Sequence, residues 1–538
     1  MKNKRIHFGL FFLFVFFFAV RSENDKSIVC YRSGLWELAK VNLQQALQLN
    51  RIDNAMYDYY LGRIAFATDN RDSAAYYFKN GLNIDPDNPY LQIGEGMLLY
   101  KSDPQGAKAC FKKAVDKNGA DLQSVNAELL SALIVLGSPE YKELLEKLKK
   151  DNENSPVLYV AEGDALVYDK KYGDALTAYE QAIYFDPLCV EAYVKSANIY
   201  KAMNIQLAID LMNRLLIAKP ACDIAYHELG ELYFQEGKFD EAENNFLKFV
   251  ESNPSLSKSD LAHYSTILFY NKKYPETKAL LDKALSVYPD ELVLNRIKMY
   301  LLASDSITDA SLSHAAGFMQ KYPKEQYIVL DYVYYGRILK GLKNYEKAID
   351  AYNSAVALEP ENSTYCRELA SLYEADNKYK DALNIYDKMF RLHKDKMKAN
   401  DYLVYGKANY FAVESLKNTP DSVICKSLLM KADTLFSQVV QLLPDNYLGY
   451  FWRARTLSLI DYETTQGLAK PDYEKVLAIL EPEGKDKNKL VECYNYLGYY
   501  YYVVQNKSES LNYWKKTLAL DPDNEMAKKA IAGIGKEL

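Results

Sequence analysis

The chain has 538 residues, 49% of them hydrophobic and 26% charged, with a formal net charge of −6. That balance is too apolar for intrinsic disorder and too acidic for general nucleic-acid affinity. A length of this order usually means several domains, but internal repetition replaces that expectation here.

Residues 1–22 stand apart from the rest of the chain. Lys2, Lys4 and Arg5 form a basic start, and Ile6–Val20 is an almost unbroken apolar run. The run falls short of the ~20 residues of a membrane span and matches a secretory signal peptide, with Val20-Arg21-Ser22 as the cleavage junction before Glu23. Export to a periplasm or cell envelope is expected, with an uncleaved N-terminal membrane anchor as the alternative. No later stretch is apolar enough to span a bilayer. Cysteines number seven, at Cys30, Cys110, Cys189, Cys222, Cys366, Cys425 and Cys493. Their odd count and wide scatter predict buried free thiols, not a disulfide frame or metal site. Cys189 and Cys222 fall near corresponding positions of adjacent units, and lipidation at Cys30 is not expected.

Residues 23–54 read as half a repeating unit, centred on Gly34–Leu49. From Ala55 a pattern of two amphipathic helices and a stop recurs. Closing prolines stand at Pro187, Pro220, Pro254, Pro289, Pro323 and Pro360, and glycines inside first helices at Gly62, Gly96, Gly163, Gly230, Gly336, Gly406 and Gly498. Small residues in second helices fall at Ala74, Ala107, Ala175, Ala208, Ala242, Ala348, Ala382 and Ala432. Aromatics occupy Phe78, Phe111, Tyr179, Phe246, Tyr352, Tyr386, Phe436 and Trp514. The clearest unit is Asp223–Pro254. Tyr226, Leu229, Gly230 and Tyr233 share one helical face, and after Glu236-Gly237-Lys238 a second face carries Phe239, Ala242, Phe246 and Phe249. A glycine inside a helix costs about 1 kcal/mol against alanine, so Gly230 predicts close approach of the second helix of its own unit.

This order of Tyr, Leu-Gly, Tyr, Ala, Phe and Pro resembles the tetratricopeptide repeat (TPR), a helix–turn–helix unit of ~34 residues. The resemblance implies an all-α, right-handed solenoid of stacked antiparallel helix pairs, the TPR superhelix. About thirteen repeats are expected between Ala55 and Asn524. The divisions are 55–328, then 329–524 with insertions near 415–427 and 461–470, then a polar capping helix at 525–538. Register is least defined around 122–155, 292–323 and 415–470, where the small-residue marks thin out. Most of the 48 tyrosines fall at the repeat's own aromatic positions.

Chemistry is sparse. His227 and His263 occupy near-equivalent positions of neighbouring units, but no HExxH, P-loop, GxGxxG or GxSxG accompanies them. Gly94-Glu95-Gly96 reads as helix packing. No cofactor, metal or catalytic residue is expected, and the chain reads as a non-enzyme. Asn362-Ser363-Thr364 and Asn506-Lys507-Ser508 are glycosylation triplets.

The TPR resemblance further implies that the first helix of each unit lines a concave groove. Carried over, that places Arg337, Lys340, Arg367, Lys407 and Arg455 there, joined by Tyr410, Phe411, Phe451, Tyr499 and Tyr502. Earlier units contribute Arg63, Asp164, Asn198, Glu231, Phe234, Thr266 and Phe269. Such a groove would hold an extended acidic peptide, guanidinium groups binding its carboxylates and rings its apolar side chains. The same charges could instead pair with Glu368, Glu374 or Glu492, and the rings could pack between repeats. The carboxylate clamp of chaperone-binding relatives is absent, since its positions read Tyr59/Arg63, Val160/Asp164, Val194/Asn198, His227/Glu231 and Leu403/Lys407. The expected function is a scaffold binding other proteins or extended peptides. It excludes nucleic acid and involves membrane only through the leader. A receptor for carbohydrate or cell-wall polymer, and a purely architectural spacer, are the alternatives.

Overall fold

The computed structural model describes residues 25–116, 122–253, 255–416, 422–484 and 486–537, so the leader and Pro254 lie outside it. Every regular element among the described residues is helical. The chain divides into two compact units, one up to Leu301 and one from Leu302.

Both units are built from helix pairs. In the first, Asn54–Ala67 pairs with Arg71–Ile84, Pro89–Leu99 with Pro104–Asp116, and Asp223–Gln235 with Phe239–Ser252. In the second, Val329–Gly341 pairs with Tyr345–Leu358, Ser363–Ala375 with Tyr379–His393, and Lys487–Val503 with Lys507–Leu520. First helices also touch the first helix of the next pair, as Asn54–Ala67 meets Pro89–Leu99 and Ala399–Ser415 meets Tyr447–Ile460. These first helices form the inner row of each stack.

The pairs close where the small residues predict. A Cβ added to Gly62 would lie 2.4 Å from the Phe78 ring, at Gly230 2.4 Å from Phe246, and at Gly406 2.5 Å from Phe436. Each partner is the second-helix aromatic of the same pair and is fully buried. Gly94 faces Phe78 and Gly96 faces Phe111 in the same way, so that doublet packs against two successive pairs. Tyr59, Tyr179, Tyr193, Tyr300, Tyr352 and Tyr405 are likewise fully buried, a structural use for much of the tyrosine content.

One turn geometry recurs between the two helices of a pair. After the first helix a single residue adopts the left-handed conformation: Asp69, Lys170, Gly237, Lys272, Lys343, Asn377 and Gln505. The next residue's N–H then reaches back to an earlier carbonyl, as from Asn70 to Ala65 at 2.9 Å and from Lys171 to Leu166 at 2.8 Å. This is the Schellman stop, which satisfies carbonyls left open at a helix end.

The less marked segments resolve into the same plan. Residues 122–151 and 292–321 each form two helices, the second of these joined by a capping box at Thr308. The expected insertion near 415–427 lengthens its helices, Ala399–Ser415 and Ser422–Leu442, while 417–421 lie outside the described residues. Near 461–470 the chain makes a turn around buried Asp461, whose Oδ2 accepts the N–H groups of Gln466 at 3.1 Å and Gly467 at 2.8 Å. Both glycosylation triplets start at helix N-caps: Asn362 accepts from Thr364 N–H, and Asn506 from Glu509 N–H. All seven cysteines are free, and burial pushes the Cys189 thiol up to about 12.

The segment 23–54 holds a helix pair, Lys26–Arg32 and Trp36–Gln48, instead of half a unit. The first of these does not simply stack on its neighbour. It reaches helices far along the first unit, including Val190–Met203.

Candidate functional site

The inner row of the second unit carries most of the residues assigned to a groove. Several of its cations engage the next first helix. Lys340 Nζ donates to Glu368 at 2.8 Å and to Ser371 Oγ at 3.3 Å. Arg367 donates to Asp401 at 2.7 Å, and Asp401 also accepts the Lys398 N–H at 2.9 Å to cap its own helix. Arg455 holds both oxygens of Glu492, each at 2.6 Å, and Tyr473 adds a third bond to that carboxylate at 3.3 Å. A bidentate pair of this kind fixes orientation as well as charge. The pairing with Glu368 and Glu492 is thus realised, and these cations already have carboxylate partners.

Trp452 organises the rings. Tyr410 lies 5.5 Å from it, Phe411 5.6 Å and Phe451 6.1 Å, all edge-on. Lys407 Nζ sits 4.7 Å above the Trp452 ring and the Arg455 guanidinium 5.0 Å. Burial, with Arg455 close by, holds the Lys407 ammonium below the usual lysine range, and Glu374 offsets part of this. Phe451 is 4% exposed and Tyr410 8%, so these two contribute packing where open binding surface was expected. Arg337 remains exposed over the Tyr334 ring at 4.8 Å.

Tyr499 and Tyr502 differ. They are 46% and 38% exposed, and both line an open pocket of about 730 Å³ toward the C-terminal end of the second unit. Trp514, Met526 and Ile534 form its apolar wall, and Glu492, Asn495 and Lys529 supply polar groups. Trp514 Nε1 is buried with no hydrogen-bond acceptor among the described residues. The pocket has the size and mostly apolar lining of a ligand site with a few polar groups. The repeat pattern marks Trp514 only as a packing residue, and the helix Glu525–Glu537 that supplies Met526 and Ile534 only as a cap.

The inner row of the first unit is more heavily paired. Arg63, 4% exposed, forms a buried ion pair with Glu128, which also accepts Tyr59 Oη at 2.7 Å and Tyr31 Oη at 3.0 Å. Asp164 accepts from Lys195 at 2.6 Å and from Tyr179 at 2.7 Å. His227 Nε2 lies 2.9 Å from Asp260 and its Nδ1 2.9 Å from Glu228. Burial opposes protonation of His227, but hydrogen bonds to Asp260 and Glu228 raise it to about 10. His263 pairs with Glu231 at 2.6 Å, so the two histidines hold carboxylates. No group of side chains suited to a metal ion occurs among the described residues. Thr266 and Phe269 are buried, and Asn198 is exposed.

The ion pairs could have been found by one signal. Lys195–Asp164, His227–Asp260, Lys340–Glu368, Arg367–Asp401 and Arg455–Glu492 join residues 31, 33, 28, 34 and 37 positions apart. Complementary charge at about one repeat length is the mark of a pair between adjacent first helices.

Comparison with known proteins agrees with this architecture. Family models described as tetratricopeptide repeat match residues 160–221, 224–256, 332–362 and 366–396. The chain is 24% identical over 433 residues to DnaJ homolog subfamily C member 3 of Homo sapiens, covering 68% of this chain and 82% of that protein. It is 24% identical to a TPR repeat-containing protein of Methanocaldococcus jannaschii, covering 71% of this chain and 57% of that one. Among solved structures, the C-terminal part of a TPR repeat-containing protein from Cytophaga hutchinsonii covers 50% of this chain and 99% of its own, with 26% identity and a TM-score of 0.43. At these four segments the stacked helix pairs are similar to tetratricopeptide repeats.

Proposed function

We propose that this protein is an exported, non-enzymatic scaffold that binds a partner protein or extended peptide at the inner face of its second unit. One observation carries the reading: of the groove aromatics, Tyr499 and Tyr502 stay exposed, and they wall a pocket of about 730 Å³. Rigid rings supply contact area at low entropy cost. Asn495 and Lys529 on the pocket wall suit peptide backbone groups. Export rests on the basic start Lys2, Lys4 and Arg5, the apolar run to Val20, and the small residue Ser22. N-terminal sequencing of the mature protein tests it, and a chain that still begins at Met1 in the cytoplasmic fraction would overturn it.

Quantitative mass spectrometry of what co-purifies with wild type and with Tyr499→Ser/Tyr502→Ser tests the binding site. A protein enriched on wild type and lost from the folded variant supports it. Equal recovery on both moves the interface elsewhere. Retention of an envelope polysaccharide instead, insensitive to salt and lost with the rings, would favour the carbohydrate-receptor reading.

A further inference from the structure

In a stacked array each repeat contacts only its neighbours. The helix Lys26–Arg32 breaks that rule within the first unit. Tyr31 donates to Glu128, 97 residues away, at 3.0 Å, and its ring lies 5.0 Å from that of Tyr60. Lys26 Nζ reaches the carboxylate of Asp223 and the side-chain amide oxygen of Asn253, 197 and 227 residues away. It also sits 5.8 Å over the Phe249 ring. Between these ends Ile28 and Cys30 are buried. The helix therefore crosses first helices belonging to several pairs, where a terminal repeat would cover one.

Its chemistry matches the face it covers. Lys26 meets Asp223, Tyr31 meets Glu128, and the Arg32 charge acts on Glu128 and Glu191. The segment does not fill the face. A pocket of about 380 Å³ stays open beside Tyr31 and Trp36, with Glu128, Asp164 and Glu191 in its wall beside the cations Arg63 and Lys195. An inner face built of ion pairs, only partly covered by a short helix that itself brings Lys26, Tyr31 and Arg32 to its carboxylates, has room for a longer ligand of the same kind.

We infer that the inner face of the first unit is a helix-binding groove occupied in cis by residues 25–35, and that its partner is a basic helical segment with the same Lys, Ile and Tyr at relative positions 0, +2 and +5. The partner competes with the chain's own segment. A tethered occupant acts at an effective concentration in the millimolar range, so a free ligand binds detectably only after the tethered one is weakened or outmatched.

A fluorescein-labelled peptide of residues 25–35, under reducing conditions, is titrated with wild type and with the full chain carrying Lys26→Glu/Ile28→Asp. These substitutions leave Glu128, Arg63 and Asp223 in place to receive the peptide. Fluorescence anisotropy is expected to show binding at least about tenfold tighter to the variant than to wild type. Added salt should weaken it, as should a peptide with Lys26→Glu and Tyr31→Ser. Circular dichroism and a melting curve accompany the titration. A folded variant that binds no better than wild type overturns the inference. So does a variant that loses its helix content, because the segment is then a strut of the fold and not an occupant of a groove.

Discussion

Arg455 grips Glu492 through two hydrogen bonds of 2.6 Å while its guanidinium lies 4.9 Å from the Phe451 ring and 5.0 Å from Trp452. One side chain therefore joins two adjacent first helices by charge while it stacks on rings of its own helix. Both partners are about a third exposed, so salt and water reduce the electrostatic part. Arg455→Ala should cost about 1–2 kcal/mol in urea unfolding. A double-mutant cycle with Glu492→Gln should return a coupling of about 1 kcal/mol. Additive losses would show that Arg455 acts by packing alone.

Gly230→Ala is expected to destabilise the fold although alanine is the better helix former. The new Cβ would sit 2.4 Å from Phe246, whose ring is fully buried and cannot swing away. Overpacking of about 1–3 kcal/mol exceeds the ~1 kcal/mol gained in propensity. Pairing the change with Phe246→Leu should restore part of the loss, which calorimetry would detect. A rise in melting temperature for the single variant would refute close packing at this position.

His227 should make stability depend on pH. Its folded-state pKa of about 10 lies above the ordinary 6.5. Its contribution is therefore complete below pH 6.5 and lost as pH rises through 10. The slope from this one proton is at most about 1.4 kcal/mol per pH unit. Asp260 is shifted the other way: burial opposes its charge, but the His227 hydrogen bond lowers its pKa, so its share is lost only in acid. Urea unfolding of wild type and His227→Gln at roughly pH 6, 8 and 9.5, from below this window to near its top, should show the difference shrinking as pH rises. A constant difference would rule out a buried imidazolium.

Glu128→Gln removes the charge that balances buried Arg63 and weakens the acceptor of Tyr31 and Tyr59. Breaking a buried pair on one side costs about 3–5 kcal/mol, because the surviving charge stays out of water. Arg63→Met/Glu128→Leu should be less damaging than either single charge removal. Chemical denaturation of the three variants decides it, and a double variant worse than both would contradict the desolvation account.

The fold was legible because each repeat leaves local marks. Gly230 and Phe246 lie in one helix pair, so their contact can be read from spacing within a single unit. Ion pairs such as Arg367–Asp401 were half legible: the cation was placed on the inner face, but its partner lies 34 residues on, in the next unit. Exposure was harder still: Phe451 is buried, with Trp452 edge-on beside it, whereas Tyr499 stays exposed, and the repeat pattern marks no difference between them. The reach of Lys26 to Asp223 and Asn253 carried no local signal. It depends on how several pairs stack together, which no single repeat encodes.

The left-handed residue that recurs at these turns has a practical corollary. A side chain there costs roughly 1 kcal/mol relative to a relaxed backbone, and Gly237 avoids it, while Lys170, Lys272, Lys343 and Gln505 do not. Evolution has left a margin unclaimed at these joints, which lie in the turns between the helices of a pair. Glycine at those four sites would relieve the backbone one joint at a time, and in a nearest-neighbour stack such gains accumulate. Heat tolerance could thus be raised without altering any residue assigned here to recognition.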